Sequence, residues 1–290
     1  MMTERKELKL VRKKGNTVLE EKWKNGVLYF AFPQLSKLTF CVHGFSSRIG
    51  GVSEGEFAQM NLSFTRGDKE ECVRENYRRI SSAVGFDHKK IVCSDQTHTN
   101  HVRVVTSQDC GKGYLCPKDY KDIDGLITNE PNVVLATFYA DCVPLYFVDP
   151  VSKVIGLSHS GWRGTVADIA SETVRLMTEI YGSKPENILA AIGPSICQDC
   201  YEVSEDVIEQ FREKYDRSLW EKLFYRKENG KYQLNLWEAC RQNMLSAGIL
   251  PEHIEVTDLC TCCNPEILFS HRASQGRRGN LAAFLSIKEN

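Results

Sequence analysis

Between residues 90 and 193 seven short apolar runs follow one another closely: KIVCS, HVRVV, DGLIT, VVLAT, PLYFV, KVIGLS and NILAAIG. Each has strand length, is enriched in Val, Ile or Leu, and is bounded by turn-forming residues. Only one long amphipathic stretch, TVADIASETVRLMTEIYG, interrupts them. Strict βαβ alternation needs a helix after every strand, and an all-β chain needs none. The order therefore predicts an α/β (or α+β) fold with a large, largely antiparallel or mixed sheet. Further helices are expected over 68–85, 204–214 and 235–247, besides the one near 165–181. In the first, Val73, Asn76, Tyr77, Ile80 and Val84 recur at helical spacing and Gly85 supplies the stop.

Ahead of these runs, LKLVRK, TVLEEKW and VLYFAF alternate with the polar turns KKGN and KNG, the pattern of a β-hairpin or meander. The chain of 290 residues is expected to form a single domain, 1–290, with 1–38 as this extension and 39–290 as the core. Hydrophobic residues at 42% and charged residues at 26% exclude disordered and fibrous classes. A formal net charge of -1 gives no global field for nucleic acid or an anionic membrane, so an anionic substrate needs a local cluster of cations. The opening MMTERKELKLVRKKG lacks the apolar core of a secretion signal, so a cytoplasmic protein with reduced thiols is expected. The most apolar run, VVLATFYADCVPLYFV, is broken by Asp141 and Pro144 and is short for a membrane span.

Three residues sit in clusters that a core does not need: His98 in SDQTHTNH, Cys142 in YADCVPLY and His159 in GLSHSGWRG. Taken singly, each is more often a packed or solvated residue. Together, two imidazoles and a thiolate suit a borderline-soft ion such as zinc, and three protein ligands leave one coordination position open. VIGLSH reads as a strand delivering His159 to its carboxyl end, where GWRG turns into the helix and where α/β folds bind ligands.

These motifs, with HGFSSRIGGVSEG, NLS, DGLIT, IGPSI followed by YEV, and the closing CT with FSHR, resemble the YfiH/YlmD family from about residue 41 onward. That family was first described as multicopper polyphenol oxidoreductases or laccases and is now assigned purine nucleoside phosphorylase and adenosine deaminase activities. The resemblance implies an α/β/β/α layered sandwich with a mixed sheet. It implies zinc on His98, Cys142 and His159, and phosphorolysis of adenosine, inosine and methylthioadenosine to the base and a sugar 1-phosphate. Deamination of adenosine is a second implied reaction. The expected partners are purine nucleosides and phosphate.

Phosphorolysis needs cations near the anomeric carbon and a donor for the departing base. Arg48, in a glycine-rich loop, and Arg163, at the apparent start of a helix, are the candidates for phosphate, although either is as often a solvated arginine. Asn61 is a candidate nucleoside contact in a context that equally suits a turn. His43 is a candidate pocket residue. Asp141 is a candidate catalytic acid/base or orienting group, provided the strand has ended there, since consecutive strand side chains point to opposite faces. The closing SHRASQGRRGNLAAFL leaves open whether Arg277 or Arg278 takes the place of the family's usual arginine before the final strand.

Cys197-x-x-Cys200 with Cys260, Cys262 and Cys263 has the ligand type of a second, structural zinc site, but without finger-like spacing read in both halves, ordinary thiols are the default expectation. Two other activities compete for the first site: a copper-dependent polyphenol oxidase on the same His/Cys/His set, and a metal-free hydrolase with Cys142 as nucleophile and His159 or His98 as base. Only seven histidines in the chain count against a multicopper oxidase.

Overall fold

The computed structural model describes residues 9–289. In chain order its strands are β1 (Glu20–Lys24), β2 (Val27–Ala31), β3 (Cys41–Ser46), β4 (Ile91–Cys93), β5 (Val102–Val104), β6 (Gly125–Thr128), β7 (Val134–Tyr139), β8 (Val143–Asp149), β9 (Val154–Ser160), β10 (Leu189–Ile192), β11 (Glu202–Val203), β12 (Phe224–Arg226), β13 (Tyr232–Leu234), β14 (Ile254–Val256) and β15 (Leu281–Ile287). Its α-helices are α1 (Pro33–Ser36), α2 (Glu70–Val84), α3 (Trp162–Val166), α4 (Ile169–Tyr181), α5 (Glu205–Lys214), α6 (Trp220–Leu223), α7 (Leu236–Ser246) and α8 (His271–Ser274).

The strands form two six-stranded sheets in place of one large sheet. The first runs β1-β2-β3-β15-β7-β4 and the second β14-β10-β8-β9-β6-β5, with β11, β13 and β12 in a small sheet apart. Both large sheets are mixed: β4 lies parallel to β7, β5 to β6 and β10 to β14, while the other neighbours are antiparallel. Side-chain alternation explains the layering. Along β15, Leu281, Ala283, Leu285 and Ile287 share one core with Tyr146 and Val148 of β8 and Ile155 and Leu157 of β9, which fills the space between the sheets. The opposite face of β15, through Ala282 and Phe284, meets Val73, Tyr77 and Ile80 of α2. On the far side of the second sheet, Leu145 and Phe147 of β8 and Val154 of β9 pack with Val174 and Met177 of α4 and Ala239 and Met244 of α7. Helix, sheet, sheet and helix follow in that order, the layering the resemblance implies.

Local chemistry sets the element ends. Helix α2 stops where Gly85 takes a left-handed backbone, φ 100°, close to the expected limit. The helix expected over 165–181 is two helices. GWRG, read as a tight turn, instead opens α3, and Asp168 then adopts φ 61° and accepts a hydrogen bond from Ser171 N, so it ends one helix and caps the next. Of the N-terminal extension, the β1–β2 hairpin forms around the KNG turn, whereas LKLVRK does not. It begins outside the described residues and then makes an isolated bridge, Arg12 to Leu259, while Thr17 further along makes another, to Thr257. Among the described residues no helix is long and apolar enough to cross a membrane.

Candidate metal centre

His159 has the same strand parity as Ile155 and Leu157, so its ring faces the inter-sheet layer at the open end of β9, 5.5 Å from the Tyr139 ring. Cys142 lies in the turn that carries the chain from β7 in one sheet to β8 in the other. His98 comes from the loop after β4, with a left-handed φ of 67°. The two imidazole centroids are 5.0 Å apart, His98 Nε2 is 3.8 Å from Cys142 Sγ, and the three ligand atoms all lie within 4.8 Å of one another.

Asp124, immediately before β6, joins these pieces. One carboxylate oxygen accepts from His98 N at 3.1 Å and meets His159 Nδ1 at 2.7 Å. The other accepts from Thr97 N at 3.0 Å, Thr99 N at 2.9 Å and the Thr99 hydroxyl at 2.9 Å. With Nδ1 engaged, His159 has Nε2 free for a metal, the usual way a carboxylate sets the tautomer and aim of a histidine ligand. Gly161 closes the other side: a Cβ there would stand 2.6 Å from His98 Cδ2 and 3.3 Å from Cys142 Sγ.

Charge completes the picture. Burial alone would raise the Cys142 thiol, but His159 and then His98 outweigh it and bring its pKa down to about 6. His159 would fall on burial, and Cys142 and Asp124 instead push it up to about 9. Asp124 would rise on burial and is held at about 2 by His159 and the Thr99 and Thr97 amides. Without metal the site is a thiolate beside an imidazolium. Donors of this type suit zinc, whose bonds of about 2.0–2.3 Å need ligand atoms roughly 3.5 Å apart, so small side-chain shifts close the set. His98, Cys142 and His159 together line a cleft of about 430 Å³ that is also walled by Phe64, Phe138 and Tyr139.

The other expected residues are distributed differently. The Arg48 guanidinium donates to Ala58 O at 2.6 Å and Pro265 O at 2.7 Å, stacks 4.5 Å above Phe269, and lines a separate, larger cleft. Its glycine-rich loop makes close approaches to the protein itself, for a Cβ on Gly51 would meet Gln59 O at 2.2 Å. Arg163 is exposed and lies 4.3 Å over its neighbour Trp162, outside the cleft lining. His43 is buried and accepts from Phe32 N at 2.9 Å; burial pushes its pKa down to about 4. Asn61 is buried too and bonds the Ser63 and Asn280 amides, bracing the cleft wall from behind. Asp141 is outside the strands, φ 89°, but its carboxylate turns to the Thr261 hydroxyl at 2.6 Å and Arg272 N at 2.7 Å, so it anchors the turn that carries Cys142.

The cations that do line the cleft are Arg66, Lys118 and Arg278. Lys118 is paired with Asp95. Arg278 is 8% exposed, its Nε has no partner among the described residues, and burial together with Arg66 pulls its pKa down to about 10. Arg277 is exposed and lines only the larger cleft. Of the two arginines in RRG, Arg278 is thus the one that is buried and lines the cleft with the three candidate ligands. Asp124 was in view as part of DGLIT, yet no spacing rule identifies it as the histidine's partner.

A family model described as multi-copper polyphenol oxidoreductase laccase matches residues 42–288. A Bacillus subtilis (strain 168) protein named purine nucleoside phosphorylase YlmD is 39% identical over 252 residues, 86% of this chain and 89% of that protein. The crystal structure of YlmD from Geobacillus stearothermophilus superposes with a TM-score of 0.86 at 34% identity, covering 94% of this chain and all of the other. That of a Bacillus licheniformis hypothetical protein YfiH gives 0.84 at 35%, covering 91% and 97%. A match that runs from Val42 to Lys288, and is repeated by relatives and by solved folds, leaves one assignment: this chain is a member of the YfiH/YlmD family.

Proposed function

We propose that the cleft is the active site of a purine nucleoside phosphorylase in which His98, Cys142 and His159 hold one zinc ion. The observation that carries this reading is the buried Arg278 guanidinium in the same cleft as the three ligands: Nη1 donates to Gly279 O and Asn280 Oδ1, but Nε has no partner and no carboxylate pairs with it among the described residues. A buried cation without a carboxylate is costly unless an anion joins it, and phosphate matches a guanidinium fork. Arg278 with Arg66 thus receives phosphate, in the role first expected of Arg48 and Arg163. Phe64 and Phe138 offer apolar faces to a purine. The relatives named purine nucleoside phosphorylase support the same reaction class.

In the reaction, a phosphate oxygen bonds to C1′ as the C1′–N9 bond breaks, and the departing base takes up a proton. Zinc, when bound, supplies a Lewis-acid position at the cleft floor. The chain's own residues do the rest. Asp124 keeps His159 in the Nδ1–H tautomer, Asp141 holds the Cys142 turn through Thr261 and Arg272, and the arginines fix the nucleophile. Adenosine, inosine and methylthioadenosine are the proposed substrates, with deamination of adenosine as a second reaction at the same metal. Copper oxidase chemistry is disfavoured because the described residues hold one histidine-containing ligand set, not the several that coupled coppers need.

The test is to incubate each nucleoside with zinc-loaded protein, with and without phosphate, and separate the products. Free base with sugar 1-phosphate, formed only when phosphate is present, is the expected result. Equal base release without phosphate, or none under any condition, overturns the proposal.

A further inference from the structure

Behind the Cys142 turn lies a second group of sulfurs. Strands β10 and β14 are parallel neighbours, paired from Ala190↔Ile254 to Ile192↔Val256, and the pairing continues past the sheet in a Ser195↔Cys260 bridge. The two chain runs therefore leave the sheet side by side, and each at once makes a C-x-x-C turn: Cys197 to Cys200 and Cys260 to Cys263. The second pair is easy to overlook in CTCC, because Cys262 interrupts it. In space the assignment is unambiguous: the sulfurs of Cys197, Cys200, Cys260 and Cys263 all lie within 4.8 Å of one another, with Cys200–Cys263 at 3.5 Å and Cys197–Cys263 at 4.0 Å. None is in a disulfide.

We propose that these four cysteines hold a structural zinc ion, distinct from the one at His98, Cys142 and His159. A tetrahedron with Zn–S bonds of about 2.3 Å has edges of about 3.8 Å, between the two sulfur separations just given. Backbone amides already point at a ligand atom, Cys197 N and Cys263 N donating to Cys260 Sγ at 3.2 and 3.4 Å, as thiolates require. Four thiolates on zinc carry a net charge of two minus. Lys13 reaches this region and pairs with Asp199, inside the first turn, at 2.9 Å. Four protein ligands leave no open position, so the ion is a clamp and not a reagent.

What it clamps is the turn that carries Cys142. Ile196 N, just before the first cysteine pair, donates to Asp141 O at 3.0 Å, and the Thr261 hydroxyl, inside the second pair, donates to the Asp141 carboxylate at 2.6 Å. Asp141 is the residue before Cys142. Closing the four-sulfur site therefore fixes two of the groups that hold Asp141, Arg272 N being the third, while a reduced, empty site leaves two loops joined by hydrogen bonds alone.

The full chain, purified under anaerobic reducing conditions with zinc supplied and excess removed, should carry two zinc ions per chain. His98→Ala/Cys142→Ala should carry one, and its cobalt form should show the visible spectrum of an all-sulfur tetrahedral site. Cys200→Ser/Cys263→Ser should also carry one and melt at lower temperature. If that variant does not fold, titrating His98→Ala/Cys142→Ala with a mercurial decides the matter: one zinc released as four thiols react is expected. A folded His98→Ala/Cys142→Ala protein without metal, disulfides among the four cysteines, or iron in place of zinc would overturn the proposal. None of these readouts depends on phosphorolysis, so the active-site reading stands or falls separately.

Discussion

Replacing Asp124 by asparagine is the most informative single change, because the carboxylate accepts five hydrogen bonds and an amide can accept from only one of its two ends. If the amide nitrogen takes the place of the oxygen facing Thr97 and Thr99, two backbone N–H groups lose their acceptor, at about 1–3 kcal/mol each. If it takes the other place, only His98 N is orphaned, and His159 can accept at Nδ1 by moving its proton to Nε2. The second arrangement is cheaper, and it blocks the metal-binding nitrogen. The depressed acidity of Asp124 gives an independent magnitude: a fall from about 3.8 to about 2 corresponds to about 2 kcal/mol of stability. A folded-state pKa below the unfolded value stabilises above the unfolded pKa and is lost as pH falls toward the folded one. The deficit of Asp124→Asn should thus be about 2 kcal/mol near neutral pH and shrink between about pH 4 and pH 2. Zinc affinity should drop by about 100-fold, the upper end for loss of a histidine's carboxylate partner. Urea denaturation, chelator competition for zinc and nitrogen-15 spectra of the imidazole tautomer measure the three effects. A variant that keeps wild-type zinc affinity with His159 protonated at Nδ1 would refute the reasoning.

Gly161→Ala should weaken zinc binding about tenfold or more while changing stability by under about 1 kcal/mol, since its φ of -78° suits alanine and only the His98 and Cys142 contacts suffer; chelator competition and thermal melts check it. Arg278→Ala should raise the KM for phosphate by about 10- to 150-fold, the span of one charge-assisted contact, with little change for nucleoside. Arg48→Ala should leave that KM alone and lower thermal stability, having lost two carbonyl bonds and the Phe269 stack. At pH 7 to 8 zinc uptake by the metal-free site should release about one proton, from His159 at about 9, because Cys142 at about 6 is already a thiolate. The number should fall as pH rises through 9 and grow as pH falls through 6, which calorimetry in buffers of different ionisation enthalpy reads directly.

Local patterns were legible where a residue's partners are its own neighbours in sequence. The apolar face of α2 and the short apolar runs that form β7, β8 and β9 are of this kind, and the three candidate metal ligands stood out through their motifs. What escaped depends on which strands sit side by side. Two sheets cannot be told from one by periodicity, since β8 is apolar on both faces in either arrangement. Arg48 and Arg278 look alike in sequence, and only packing shows Arg48 turned to carbonyls away from the cleft and Arg278 buried in its lining with Nε unpartnered. The second cysteine pair acquires meaning once β10 and β14 are known to be parallel.

Strand β15 pairs with β3 on one edge and β7 on the other, so residues 281–287 form the middle of the first sheet. A ribosome delivers those residues after everything they join. Until they arrive, β3 and β7 each present a bare edge, and Asn61, whose carboxamide bonds Asn280 N, has no wall to brace. The cleft beside Arg278 consequently forms only after residues 281–287 have been made: a nascent chain can display all three candidate ligand motifs and still lack the central strand of the first sheet.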